Sequence, residues 1–399
     1  FDQYFDQNYS KSIEICKKLI NLDKFKYPIS DLLASNFKKQ KLFLQTLRIY
    51  KKELKEKKDY LIYYNIGTLF LDLGRINKEQ YYFKKSENFK KNDNSNLWNL
   101  SLCYLTLGNL DKGFSLYEYR WFSKSNKTIK KFENIKVPLS TEEIINKNIL
   151  ISDEQGLGDT IQFSRFVIEL LQFTKKITFV VNSKLVNLLS NLNKNIVVIE
   201  YKDLKTSNFD YHLSLCSLPL FLRIKDISDI NYYSLNFNNK NKISFEKNDI
   251  NIGLSWSGNP NFPLDEYRSI SFKNFKEILN IKKINFFKLS QNVRNEEFLD
   301  YHSFSNLFDF GDKSLFEISE VMKELDLVIS SDTSIIHLAG ILNIKSILLL
   351  NYNSDWRWFE DKKKTIWYPS VEIIKQKTFN SWDNVFYELK KRIEKLTYK

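Results

Sequence analysis

Leu325-Asp326-Leu327-Val328-Ile329-Ser330-Ser331-Asp332-Thr333-Ser334-Ile335-Ile336-His337-Leu338-Ala339-Gly340 reads as a buried strand that runs out in small hydroxyl residues and an acid, then opens a helix. A continuous β-branched run of this kind belongs to a parallel sheet covered on both faces. Similar runs recur upstream and downstream: Ile149-Leu150-Ile151, Ile177 to Val181, Ile196 to Glu200, Ile252-Gly253-Leu254, Ile284 to Leu289 and Ile347 to Leu350, with helical stretches between them. The alternation predicts an α/β region with largely parallel strands. A polar break rich in Asn and Lys, Asn236 to Asn251, divides it into two Rossmann-like halves.

Before about Asn148 the pattern is different. Asn65-Ile66-Gly67-Thr68-Leu69-Phe70 through Gly74 aligns with Asn99-Leu100-Ser101-Leu102-Cys103-Tyr104 through Gly108 at a shift of 34 residues, and Phe83 then pairs with Tyr117. A small residue, an aromatic three later, a turn glycine and a second aromatic resemble the tetratricopeptide pattern, in which each repeat is a helical hairpin. Tyr9 to Leu22 reads as the second helix of an earlier repeat, and Ser30 to Leu54 as a hairpin lacking the turn glycine. Such repeats stack into a solenoid with a concave binding surface.

The 399 residues, 43% apolar and 27% charged, exclude a disordered polyelectrolyte. The net charge of +13 is concentrated: residues 1–146 hold 27 basic and 17 acidic groups, the remainder 34 and 31. This excess suits an acidic protein face, an anionic membrane surface or simple solvation. No nucleic-acid module accompanies it, so nucleic acid is not an expected partner. Cys16, Cys103 and Cys216 have no metal or disulfide spacing, which fits a reducing, cytoplasmic setting. The longest apolar stretch, Ile335 to Leu350, is interrupted by His337, Asn343 and Lys345 and falls short of a membrane span. Because the first residue is Phe1 rather than Met, a targeting segment or a further repeat is expected upstream.

Four polar strand ends carry the chemistry. Asp153-Glu154-Gln155-Gly156-Leu157-Gly158-Asp159-Thr160 follows a strand and opens a helix; Gly156 and Gly158 let backbone approach a ligand, and Asp159 is either a helix cap or a functional carboxylate. In the opening stretch, the first amides of the helix with Asp332, Thr333 and Ser334 suit a diphosphate, and His337 lies one turn in, as ligand or as core. Gly253-Leu254-Ser255-Trp256-Ser257-Gly258-Asn259-Pro260 is a third strand-to-loop passage, followed by Arg268, a phosphate clamp or a surface arginine. Ser290-Gln291 is the fourth. Trp356, Arg357, Trp358, Trp367 and Tyr368 either line a donor pocket or pack the end of the sheet.

Taken together, these segments resemble bacterial proteins in which tetratricopeptide repeats are fused to a GT-B glycosyltransferase domain related to the ADP-heptose–lipopolysaccharide heptosyltransferases of glycosyltransferase family 9. The specific pieces are Glu154 through Phe163, Trp256 through Pro260, Ser331-Asp332-Thr333 with His337 through Gly340, Asp355-Trp356-Arg357-Trp358 with Trp367-Tyr368-Pro369, and the junction Tyr117-Glu118-Tyr119-Arg120-Trp121. The resemblance implies an α + α/β chain: tetratricopeptide-like repeats over 1–146, an acceptor-side Rossmann-like half over 147–245, and a donor-side half over 246–399 with a final helix crossing both.

It implies further that Asp159 is the base for an acceptor hydroxyl and that Asp332, Thr333 and His337, with Ser334, hold a nucleotide-sugar donor beside Arg268, Gln291, Ser257 and Asn259. Gln155 and His212 are the acceptor-side candidates. The chain has no Asp-x-Asp, so the expectation is inverting transfer without a metal or other cofactor. The expected acceptor is a protein or a glycolipid, with a protein partner on the repeats and peripheral contact at the inner face of a membrane. The competing expectation is a repeat scaffold with a degenerate sugar-nucleotide domain.

Overall fold

The computed structural model describes residues 8–19, 26–122, 132, 134–205, 208–237, 249–262, 265–291, 303–360 and 365–397. Two compact units divide the chain, one of residues 1–107 and 115–125, the other of 108–114 and 126–399. The expected boundary at 245/246 lies outside the described residues, as does most of the polar break.

The first unit is built of helical hairpins: α1 (Tyr9–Leu19), α2 (Lys26–Lys39), α3 (Phe43–Glu56), α4 (Tyr60–Asp72), α5 (Ile76–Phe89), α6 (Asn94–Thr106) and the end of α7 (Leu110–Tyr117). Its period is physical as well as textual. Asp59 caps α4 by accepting from the Leu61 amide at 2.9 Å, and Asp93 caps α6 from the Asn96 amide at 3.1 Å. Gly67 admits the buried Phe83 ring, which a Cβ there would meet at 2.5 Å. Gly74 and Gly108 turn the chain at φ of 60° and 80°. The hairpin without the glycine turns at Lys41 with φ 61°, accepting left-handed strain in a side-chain-bearing residue.

The second unit holds two fully parallel sheets, as the α/β reading requires. Strands β1 (Ile149–Ser152), β2 (Ile177–Val181), β3 (Ile196–Glu200) and β4 (Tyr211–Ser214) lie in the order β3-β2-β1-β4. Strands β5 (Ile250–Ser255), β6 (Ile284–Lys288), β7 (Leu307–Asp309), β8 (Leu327–Ser331), β9 (Ser346–Leu350) and β10 (Val371–Lys375) lie in the order β10-β9-β8-β5-β6-β7. This is a GT-B arrangement of two Rossmann-like subdomains.

Each order reverses once, beside β1 in the first sheet and between β5 and β8 in the second. Crevices at such reversals, outside the carboxyl ends of the strands, are where open α/β sheets take ligands. The loops after β1, β5 and β8 are the three motif-bearing loops. Helix α8 (Leu157–Glu169) follows β1, helix α14 (Ser334–Ile341) follows β8, and the two pack against each other. Between them in the chain come the shorter α9 (Ser183–Leu189), α10 (Leu218–Phe221), α11 (Asp265–Arg268), α12 (Lys276–Leu279) and α13 (Leu315–Met322).

The last helix, α15 (Asp383–Thr397), was expected to cross both halves. Its buried Val385, Leu389 and Ile393 join the core of the second sheet with Trp256, Phe272 and Phe275.

Candidate functional site

The glycine loop after β1 sorts its three acids. Asp153 accepts from the Asn182 amide at 2.7 Å and from the Tyr201 hydroxyl, and buried Glu154 accepts from Ser214 at 2.7 Å. Both serve the first sheet. Gln155 turns the loop in the left-handed region, with φ 66°. Asp159, in the first turn of α8, accepts from the Gly156 amide at 2.8 Å through Oδ2, while its Oδ1 pairs with the guanidinium of Arg357. Asp159 is thus both a helix-terminal carboxylate and half of an ion pair that joins the two sheets. Burial pushes its pKa up; Arg357 and the Gly156 amide oppose the rise, and Asp355 and Glu154 add to it.

Arg357 is the hub. Its side chain is 8% exposed, and its Nη1 donates to Asp355 Oδ1 at 2.8 Å while Nη2 reaches Gln155 Oε1 at 3.1 Å as well as Asp159. The ring of Trp356 lies 4.6 Å from its Cζ and that of Phe163 5.9 Å. Asp355 also accepts the Arg357 amide at 3.0 Å, and the Trp367 indole donates to the Arg357 carbonyl at 2.7 Å. An arginine so enclosed is oriented before any ligand arrives.

Around the start of α14 the second sheet supplies hydroxyls. Thr333 caps the helix and lies 3.1 Å from Ser330 Oγ and 3.3 Å from Ser255 Oγ, and Ser290 continues the chain to Ser255 at 3.3 Å. This buried network ties together the ends of β8, β5 and β6. Asp332 stands at the loop between strand and helix with its pKa pushed up to about 6, first by burial and then by the nearby charge of Asp355. Arg268, the Trp358 indole and Arg357 oppose that rise. Arg268 itself is held at 3.1 Å from Asp265 and 4.3 Å from the Phe262 ring centroid, against the face of Gly258.

His337 is buried between the halves. Its Nδ1 lies 3.0 Å from the Tyr368 hydroxyl, its ring stacks on Trp358 at 5.1 Å, and a Cβ on Gly158 would sit 2.9 Å from its Cδ2. Burial, then Arg357, Arg165 and Arg268, keep its pKa well below the usual range, so the ring is neutral. Gly158 therefore lets the glycine loop lie against α14. A second tie comes from buried Arg165 of α8, whose Nη1 donates to the Trp367 carbonyl at 3.0 Å with the Tyr368 ring 5.1 Å from its Cζ.

Asp159, Gln155, Gly156, Gly158, Asp332, Thr333, Ser334, His337 and Arg268 are brought into one neighbourhood. Other candidates have local occupations. Gln291 donates to the Lys313 carbonyl at 3.1 Å, Ser257 is buried beside Gly258, and exposed Asn259 accepts from the Asn261 amide at 3.0 Å within its own loop. His212 is 7% exposed, with Ser152 Oγ 2.8 Å from its Nε2 and the Phe132 ring centroid at 4.4 Å. Burial lowers its pKa to about 4.

Sequence reasoning left Asp355 and Arg165 without individual roles, and for Arg357 and Tyr368 it offered only pocket lining or packing, with no polar partners. The usable signal was chemical: an arginine set between two tryptophans, with Asp355 two residues before it, needs a carboxylate partner when the rings bury it. Among the described residues, no three His, Cys, Asp or Glu side chains converge to hold a metal, and no helix is long and apolar enough to cross a membrane.

No protein-family model and no curated protein matches the chain. Solved structures do. Escherichia coli ADP-heptose lipopolysaccharide heptosyltransferase II is 12% identical over 63% of this chain and 99% of its own, with a TM-score of 0.44. The iron-containing dodecameric glycosyltransferase TibC of enterotoxigenic Escherichia coli is 12% identical over 60% of this chain and 66% of its own, with a TM-score of 0.42. YrrB, a tetratricopeptide protein with an unusual peptide-binding site, is 14% identical over 31% of this chain and 63% of its own, with a TM-score of 0.27. At these identities the likeness concerns fold alone.

Proposed function

We propose that the chain is an inverting, metal-independent glycosyltransferase that moves a sugar from a nucleotide-diphosphate sugar to a hydroxyl of a protein or glycolipid acceptor. One observation carries this reading: the carboxylate of the first sheet's glycine loop, Asp159, stands within ion-pair reach of Arg357 of the second sheet, in a neighbourhood that also holds the helix start at Asp332 and Thr333. Asp159 is the base. It takes the acceptor proton as the acceptor oxygen attacks the anomeric carbon and the diphosphate departs toward α14. Negative charge then develops where the α14 amides, Arg268 and Arg357 are already oriented, so its stabilisation needs little reorganisation. Gln155 belongs to the acceptor side, and the helical repeats recruit the acceptor or a protein partner.

A second reading, a non-catalytic repeat scaffold, draws on the fact that both Asp159 oxygens are already paired. Ligand-observed NMR of the full chain against ADP-, UDP-, GDP-, dTDP- and CMP-sugars separates the two. The expected result is binding of one diphosphate class, lost in Asp332→Ala, followed by transfer that falls about 10²–10⁴-fold in Asp159→Asn. Binding of no donor at millimolar concentration by folded protein would favour the scaffold.

A further inference from the structure

We propose that Arg357 is a ligand for the donor's diphosphate and that Asp159 holds it in wait, so that donor binding itself releases the carboxylate to act as base. The inference rests on the glycosyltransferase reading and adds to it an order of events.

Three features carry it. The guanidinium is nearly buried, and it engages the side chains of Asp355, Gln155 and Asp159 on loops of the two halves. Its charge is felt both at Asp332 and at His337, on either side of the first turn of α14, so a dianion seated there lies within its field. And the candidate base has no unengaged oxygen: Oδ2 holds the Gly156 amide and Oδ1 holds Arg357.

A carboxylate in that state is a poor acceptor for a hydroxyl proton. A diphosphate brings more charge and more acceptor oxygens than one carboxylate, and guanidinium recognises phosphate with the same fork. The exchange is non-covalent: the guanidinium keeps its proton, Asp159 keeps its charge, and a phosphate oxygen replaces Oδ1. Asp159 remains oriented by the Gly156 amide, with Oδ1 open to the acceptor hydroxyl. The charged and titratable groups facing it are then Glu154, Asp355 and Tyr368, without the cation that held its proton affinity down. Acceptor activation before donor binding, and with it wasted chemistry on the base, is avoided.

Inorganic pyrophosphate is the probe. In full-length protein labelled with ¹³C at the aspartate carboxyls, with the Asp159 signal identified from Asp159→Asn, saturating pyrophosphate should raise the Asp159 titration midpoint by about one unit. Arg357→Lys, which keeps the charge and loses the fork, should bind pyrophosphate about tenfold more weakly and show a smaller rise. Pyrophosphate that binds without moving Asp159, or that binds Arg357→Lys as well as the parent, overturns the proposal while leaving the glycosyltransferase reading standing. Failure of both pyrophosphate and every nucleotide sugar to bind removes both. Should the variant not fold, the titration of the parent protein decides alone.

Discussion

Asp332 is a residue whose buried charge costs stability. Its folded pKa of about 6 exceeds the roughly 3.9 of an unfolded aspartate, so between about pH 4 and 6 the native state keeps a proton that the unfolded chain has released. Stability from this group is therefore full below about pH 4 and falls as pH rises through 6. Asp332→Asn should raise the thermal midpoint at pH 7.5 by roughly 2–5 °C and flatten its decline across that window. An unchanged midpoint and slope would mean that Arg268 and Arg357 fully compensate the buried charge.

Residues at strand ends were legible because their position in the strand–loop–helix pattern announces them: Asp159 and Asp332 each open a helix. Arg357 was legible only as one of two alternatives: its partner Gln155 is 202 positions away, and an arginine among tryptophans reads as pocket lining or as packing until the carboxylates around it are located. For His337 the sequence left two readings, ligand or core; what it could not supply is that the ring bonds Tyr368 and stacks on Trp358.

Helix pairing depends on two glycines that the turn chemistry does not explain. Gly158 lies where α8 meets α14, and a methyl there would sit 2.9 Å from the His337 ring and 3.4 Å from the Ser334 Cα. That ring cannot step aside, being held by Tyr368 on one side and Trp358 on the other. Gly158→Ala should cost about 1–3 kcal/mol in chemical denaturation, by overpacking. Gly67→Ala should cost a similar amount in the first unit, where Phe83 fills the space. A neutral result at Gly158 would require the two helices to separate at no expense.

At this scale the sequence was informative where pattern is local. The 34-residue period appears again in the capping aspartates, and seven apolar runs became strands. The three strands that escaped notice, β4, β7 and β10, are short or alternate: Tyr211-His212-Leu213-Ser214 carries two polar residues, Leu307–Asp309 has only three residues, and Val371–Lys375 sits at a sheet edge with Glu372 outward. Such strands owe their existence to a neighbour, and no single-strand pattern encodes the neighbour.

For the whole molecule, composition gave a globular chain and the change of period gave two architectures, but the limits of the second unit depend on contacts made at a distance. Residues 108–114 belong to it: the Asp111 amide donates to the Lys225 carbonyl at 3.1 Å, and Phe114, 1% exposed, meets Trp356 edge-on at 6.1 Å beside the site arginine. Phe132, packed with Leu150 and Val180, and fully buried Ile144 also precede the first strand. A fragment starting at Lys147 would lose these three side chains, each contributing about 1.5–3 kcal/mol of burial. It would also uncover the Trp356 ring that flanks Arg357. A fragment starting at Gly108 should retain a cooperative thermal transition, whereas one starting at Lys147 should melt at least about 5 °C lower or aggregate on expression. Equal midpoints for the two fragments would show that residues 108–146 are dispensable to the two-sheet unit and that Trp356 is held by the sheets alone.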